Sequence, residues 1–217
     1  MEQIDRDEIR VLKKIRIDSI SCMEYNKGMT NMKYDKIIVV DIESTCWEKN
    51  APQGVNEIIE IGICTIETKS GNILESRSII VKPIYSTVSE FCTKLTTLKN
   101  EDVENGISFS DACSILVNEF KTDKYTWASY GYYDMTQFKI QCERENVAYP
   151  FSGSHINVKI LFSLINSLKK QVGMDKALKM SKMPLEGTHH RGVDDARNIA
   201  RILSKILFNR VTEGKYK

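Results

Sequence analysis

Short apolar runs dominate the first third of the chain, and apolar positions at helical spacing dominate the rest. Lys36-Ile-Ile-Val-Val-Asp41 is a β-branched run suited to a fully buried strand. Glu57-Ile-Ile-Glu-Ile-Gly-Ile-Cys-Thr-Ile66 predicts a second strand, Thr68-Lys-Ser-Gly-Asn72 a turn, and Ile73 to Lys82 a third strand stopped at Pro83. These three read as an antiparallel meander. Tyr125 to Tyr130 predicts a fourth strand ending at Gly131. Helical spacing covers 98–103, 110–121 (with Ser110 as its cap), 134–146, 157–170, 174–182 and 193–208. Strands first, then strands alternating with helices, predict an α/β domain: a mixed sheet of about five strands flanked by helices on both faces.

Residues 1–35 differ in texture. Ile4, Ile9, Leu12, Ile15 and Ile20 give a loose helical stripe, followed by polar residues. The expected organisation is a helix-plus-linker extension over 1–35, one domain over 36–208 and a tail over 209–217. A length of 217 residues suits a single domain. No run approaches the roughly 18 apolar residues that a transmembrane helix needs, so no membrane partner is expected. The N-terminus mixes acids and bases and reads as neither signal nor transit peptide.

Composition changes the picture in two places. The six cysteines are scattered, without a CxxC pair, which argues against a zinc ribbon or a disulfide framework and for a reducing, cytoplasmic setting. Charge is divided unevenly: residues 1–158 carry 18 Lys+Arg against 24 Asp+Glu, whereas residues 159–217 carry 13 against 5. A carboxylate-rich part beside a basic part suits a metal-dependent enzyme acting on a polyanion, and a solvated basic helix explains it equally well.

The candidate chemistry lies in three distant segments. Asp41 and Glu43 are two apart at the end of the first strand, so their carboxylates share a face at the end where α/β sheets place ligands. Asp134 follows the fourth strand where a helix begins, as a ligand or as a cap. In Thr188-His-His-Arg-Gly-Val-Asp-Asp195, His190 belongs to the loop before the final helix and Asp195 to that helix's start. Alone, each segment has a plainer reading: a strand ending in solvent, a helix cap, a phosphate-binding loop. Together they assemble four hard oxygen ligands suited to Mg²⁺ or Mn²⁺ and one imidazole suited to taking a proton from water. Two such ions about 4 Å apart clamp the attacking and leaving oxygens of a phosphodiester.

The order Asp-x-Glu, Asp, His-x4-Asp resembles the DEDDh group of 3′-to-5′ exonucleases. Asp41-Ile-Glu-Ser-Thr-Cys46, Glu57-Ile-Ile-Glu60, Phe91-Cys-Thr-Lys-Leu-Thr96, Asp134-Met-x-x-Phe138, Ile156-Asn-Val158 and His190-Arg-Gly-Val-Asp-Asp195 extend the likeness in register. They are similar to the Eri-type branch, relatives of the histone-mRNA 3′ exonuclease and of bacterial KapD-like proteins. The resemblance spans about 36–208. It implies an RNase H-like fold and removal of nucleoside 5′-monophosphates from the 3′ end of single-stranded nucleic acid, RNA before DNA. It implies two Mg²⁺ ions (Mn²⁺ substituting) on Asp41, Glu43, Asp134 and Asp195, with His190 as general base. Glu43 and Ser44 would contact the terminal nucleotide. Trp47 and Tyr132 are candidates to stack on a base, and Leu95 and Leu98 to line its pocket. His189 with Asp194 offers a second five-residue register, which the following Ala-Arg-Asn-Ile-Ala disfavours.

Two features depart from the pattern. Members often carry Gly where this chain has Thr97, and residues 1–35 are short for a separate nucleic-acid-binding domain. A DNA-directed exonuclease, a non-catalytic RNA-binding module and a scaffold with a structural metal are the alternatives. Lys169, Lys170, Lys176, Lys179 and Lys182 form a candidate phosphate track or a solvated face.

Overall fold

The computed structural model describes residues 33–49 and 55–208. The expected N-terminal helix and most of its linker, and the tail from 209, lie outside the described residues. Strand β1 (Lys33–Ser44) starts three residues before the Lys36 boundary read from the sequence. It pairs antiparallel with β2 (Ile58–Glu67), which pairs antiparallel with β3 (Ile73–Ile80), so the meander forms as expected. Three helices follow: α1 (Glu90–Thr96), α2 (Asn100–Glu104) and α3 (Phe109–Asn118). The chain then enters β4 (Tyr125–Ser129), which lies parallel to β1 on its other side. Helix α4 (Tyr133–Glu145) leads to β5 (His155–Asn157), parallel to β4. Helices α5 (Val158–Ile165), α6 (Met174–Met180) and α7 (Gly192–Phe208) complete the fold. The sheet order is β3-β2-β1-β4-β5.

Strand alternation sorts β1 between two cores. Ile38, Val40 and Ile42 pack with Phe109 and Leu116 of α3 and Phe138 of α4. Ile37 and Val39 face the other way, against Leu178 of α6 and Ile199, Ile202 and Leu203 of α7. Asp41 and Glu43 continue the second series, so their carboxylates point to the face that α7 covers.

Some local readings need correction. The cap of α3 is Ser108, not Ser110: its Oγ accepts from Asp111 N and donates to Asp111 Oδ2 at 2.6 Å, a reciprocal bond that Ser110 has no partner to make. The helix read over 157–170 is only Val158–Ile165, because Asn166 caps it and Ser167 turns left-handed. Helix α1 had no expectation as an element. Its Ser89 cap bonds Cys92 N and the carbonyl of Cys46, and Cys92 Sγ meets Ser44 O at 3.5 Å, tying α1 to the end of β1.

Thr97 ends α1 with φ of 66°. This is the position where the family resemblance expects glycine, and the backbone gives the reason: a left-handed residue costs a β-branched side chain about 1–2 kcal/mol. Glycine would relieve that and give back about 0.5–1 kcal/mol in unfolded-state entropy. Thr97→Gly is therefore expected to raise the thermal midpoint by a few degrees, measured by calorimetry; a lowered midpoint would show that Thr97 Oγ1, 3.5 Å from Arg191 Nη1, matters more than the strain.

Candidate active site

The parallel strands β1 and β4 end at the same edge of the sheet, and the site lies beyond them. The placement of α7 depends on a close approach. Gly62 pairs with Asp41 across the sheet, and a Cβ on Gly62 would lie 1.9 Å from the backbone of Gly192. Only a bare backbone lets the first turn of α7 rest on β2 there, and that contact brings Asp195 beside Asp41. Ligand atoms of Asp41, Glu43 and Asp195 fall within 4.8 Å of one another.

Three carboxylates so close, and poorly solvated, resist ionisation. Burial and then the charges of Asp134 and Glu43 raise the Asp41 carboxyl well above its ordinary range. Asp41 itself is half-buried. Glu43 is pushed up to about 9 by burial, with Asp195, Glu60 and Asp134 adding repulsion. Asp195 is also raised, burial outweighing the hydrogen bond from His190 N. A divalent cation relieves this repulsion in a single step, and an all-carboxylate donor set suits a hard ion.

Asp134 arrives differently. It is buried in the first turn of α4, and its Oδ1 accepts from Ile42 N at 3.1 Å, a donor beyond the last β1–β4 pair. Burial raises its carboxyl to about 6, against hydrogen bonds from its own N–H, Ile42 and Ser129. Its oxygens are not in the tight group formed by the other three carboxylates.

The turn before α7 holds two imidazoles. His190 has φ of 64°, and its N–H donates to Asp195 Oδ2 at 2.9 Å. His189 makes the ring contact: its Nδ1 is 3.0 Å and 3.2 Å from the two oxygens of Asp195. The His189–Asp194 register read from spacing does not form; Asp194 instead accepts from Thr188 N at 2.8 Å. Both rings stay at the site, stacked with centroids 3.9 Å apart. Burial first, then the neighbouring His189, lower the His190 imidazole below its usual 6.5.

The remaining candidates divide. Ser44 is buried beside the end of β1, and Trp47 is half-buried. Tyr132 is 54% exposed, its ring 6.0 Å from that of His155. Leu95 faces solvent, whereas Leu98 packs in the small core with Ile59, Val88 and Val103. The five lysines of the basic stretch are exposed and spread from the α5–α6 connection to the end of α6.

Sequence reasoning gave no role to Glu57 or Glu60, and gave Arg191 only a place in a candidate phosphate-binding loop. Glu60, opposite Glu43, is fully buried and accepts from Arg191 Nε at 3.0 Å, Arg191 Nη2 at 3.3 Å, Gly192 N at 3.0 Å and Ser78 Oγ at 2.6 Å. It pins the histidine turn to β2. Glu57 accepts from Ile84 N at 2.7 Å and Tyr85 N at 2.9 Å, holding the loop that leads to α1. Two glutamates flanking Ile58 and Ile59 at the head of a buried apolar run were the available signal, because a buried charge requires partners.

A family model described as Exonuclease (RNase_T) matches residues 38–203. The 3'-5' exoribonuclease 1 of Homo sapiens is 30% identical over 184 residues, covering 80% of this chain and 53% of the human protein. The chain thus spans about half the length of that relative. The 3'-5' exonuclease Snipper of Drosophila melanogaster is 24% identical over 230 residues, covering 95% of this chain and 81% of Snipper. Among solved structures, the nuclease domain of 3'hExo, a DEDDh family member bound to rAMP, superposes with a TM-score of 0.75 at 29% identity, covering 83% of this chain and 95% of that one. With the sheet order, the converging carboxylates and the histidine turn, these matches establish that the chain belongs to the exonuclease family, as a homologue of the DEDDh 3'-5' exoribonucleases.

Proposed function

We propose that the chain removes nucleoside 5′-monophosphates from the 3′ end of single-stranded RNA in a Mg²⁺-dependent reaction. The observation that carries this reading is the convergence of Asp41, Glu43 and Asp195 within ligand distance, with the His190 ring beside Asp195. The donor set fits two Mg²⁺ ions, or Mn²⁺ in their place, which when bound would neutralise charge on the scissile phosphate and favour ionisation of the attacking water. Asp41, Glu43 and Asp195 would hold them, with Asp134 contributing from α4. His190 would take the proton of the attacking water through its ring, and its backbone N–H keeps Asp195 oriented. Glu43 and Ser44 would meet the terminal nucleotide, and the exposed Tyr132 offers a ring on which a base can stack. The RNA preference is supported by the relatives named exoribonucleases. Five free thiols among the described residues suit a reducing compartment, in keeping with a cytoplasmic setting.

The test uses a 5′-labelled single-stranded RNA incubated with Mg²⁺ and resolved over time, beside His190→Asn. A ladder shortening from the 3′ end, slowed at least about a hundredfold in the variant, is the expected result. Degradation of a matched DNA with RNA intact would move the substrate to DNA. Both oligomers intact, with RNA retained in a binding assay, would leave a binding module.

A further inference from the structure

Asp195 belongs to two donor sets. One is the all-oxygen set with Asp41 and Glu43; the other joins it to His189 and His190, whose ligand atoms also lie within 4.8 Å of one another. Consecutive residues of an extended chain point their side chains to opposite sides. Here the left-handed backbone at His190 folds the second ring onto the first, with an interplanar angle of 22°. The turn is held in that form from below, since Glu60 grips both the guanidinium of Arg191 and the N–H of Gly192. His189 already approaches both oxygens of Asp195, so two imidazoles and a carboxylate meet on a rigid turn.

We propose that His189, His190 and Asp195 form a second metal site, selective for borderline transition ions of the Zn²⁺ class. Imidazole nitrogen favours Zn²⁺ and Co²⁺ over Mg²⁺, whereas the oxygen set favours the hard ion. Two histidines and one carboxylate are a usual protein donor set for Zn²⁺. The two sites share Asp195 and therefore compete. Zn²⁺ in the second engages the His190 ring and withdraws Asp195 from the first, so it acts as an inhibitor. Metal binding at this site does not depend on the exonuclease reading; the inhibition rests on it.

The experiment compares the full chain with His189→Gln. Zn²⁺ affinity is measured by competition with a chromophoric chelator, Co²⁺ coordination by its visible absorption, and Mg²⁺ affinity by the thermal midpoint. His189→Gln is expected to weaken Zn²⁺ at least about tenfold and to remove the intense visible bands of low-coordinate Co²⁺, with Mg²⁺ affinity changed less than about twofold. Zn²⁺ affinity retained within about twofold would overturn the proposal, as would a parallel loss of Mg²⁺ affinity, with His189→Asn guarding against a folding defect in either direction. In RNA shortening at saturating Mg²⁺, micromolar Zn²⁺ should inhibit the unmodified chain and lose that potency in His189→Gln. Zn²⁺ binding that needs His189 in a protein that degrades no RNA would sink the exonuclease reading and leave the site standing.

Discussion

Gly62→Ala is expected to unseat the last helix and to abolish activity with it. The added Cβ would meet Gly192 C and O at 1.9 Å and Val193 N at 2.3 Å, all backbone atoms that no rotamer change can move. The first turn of α7 must lift by more than an ångström or β2 must bend. Overpacking of this kind costs about 3 kcal/mol or more. A displacement of about 1 Å at the reacting groups costs roughly a hundredfold in rate. Asp195 and both histidines ride on that turn, so the thermal midpoint, RNA shortening and the metal-induced rise in midpoint should fall together. Gly153, whose Cβ would meet nothing within 4 Å, is the control, and Gly153→Ala should change none of them. A Gly62→Ala protein with normal metal response would show that α7 does not depend on this approach.

Asp41→Asn should divide function from stability in opposite directions. Loss of a central carboxylate is expected to lower RNA shortening on the order of a thousandfold, about 4 kcal/mol of barrier, with RNA binding kept. Without metal, however, Asp41 is raised well above its ordinary range by burial and its acidic neighbours. The same holds for Glu43, raised from 4.5 to about 9, and Asp134, raised from 3.8 to about 6. Such groups hold protons in the folded state that the unfolded chain releases. Their contribution is complete below the ordinary carboxylate range and is lost as pH rises towards about 9. The metal-free protein should therefore melt at progressively lower temperature across that range. Saturating Mg²⁺ should flatten the curve, and Asp41→Asn should raise the metal-free midpoint near neutral pH. A metal-free midpoint independent of pH, or lowered by the substitution, would show that the carboxylates do not repel one another as their placement implies.

Local pattern was enough for the meander, because β-branched runs and the Thr68–Asn72 turn carry their own period and punctuation. It was also enough for Asp41 beside Glu43, which strand alternation alone places on one face, and for His190 on a loop ahead of α7. Two short elements escaped it, β5 of three residues and α1 of seven, although α2 and α6, of five and seven, were read. The contacts that shape the site escaped for another reason. Glu60 and Arg191 are far apart in sequence, and nothing near either indicates that they meet. The bond from Ile42 N to Asp134 exists because β4 stops before reaching it, a property of the assembled sheet. Likewise, Thr97 reads as a departure from a motif until its backbone angle shows what the motif's glycine supplies.

The span of the carboxylate cluster has a consequence for synthesis. Asp41 and Glu43 stand on the first strand, His190 and Asp195 at the entrance to the last described helix, and Glu60 and Gly62 hold the two ends together. A chain emerging from the ribosome carries half of the cluster early and must wait for nearly the whole domain before the other half can dock. Until then the carboxylate set is incomplete and has no base beside it. On the proposed function, the protein is harmless to its own message while that message is being read, and becomes a nuclease only when α7 has closed against β2.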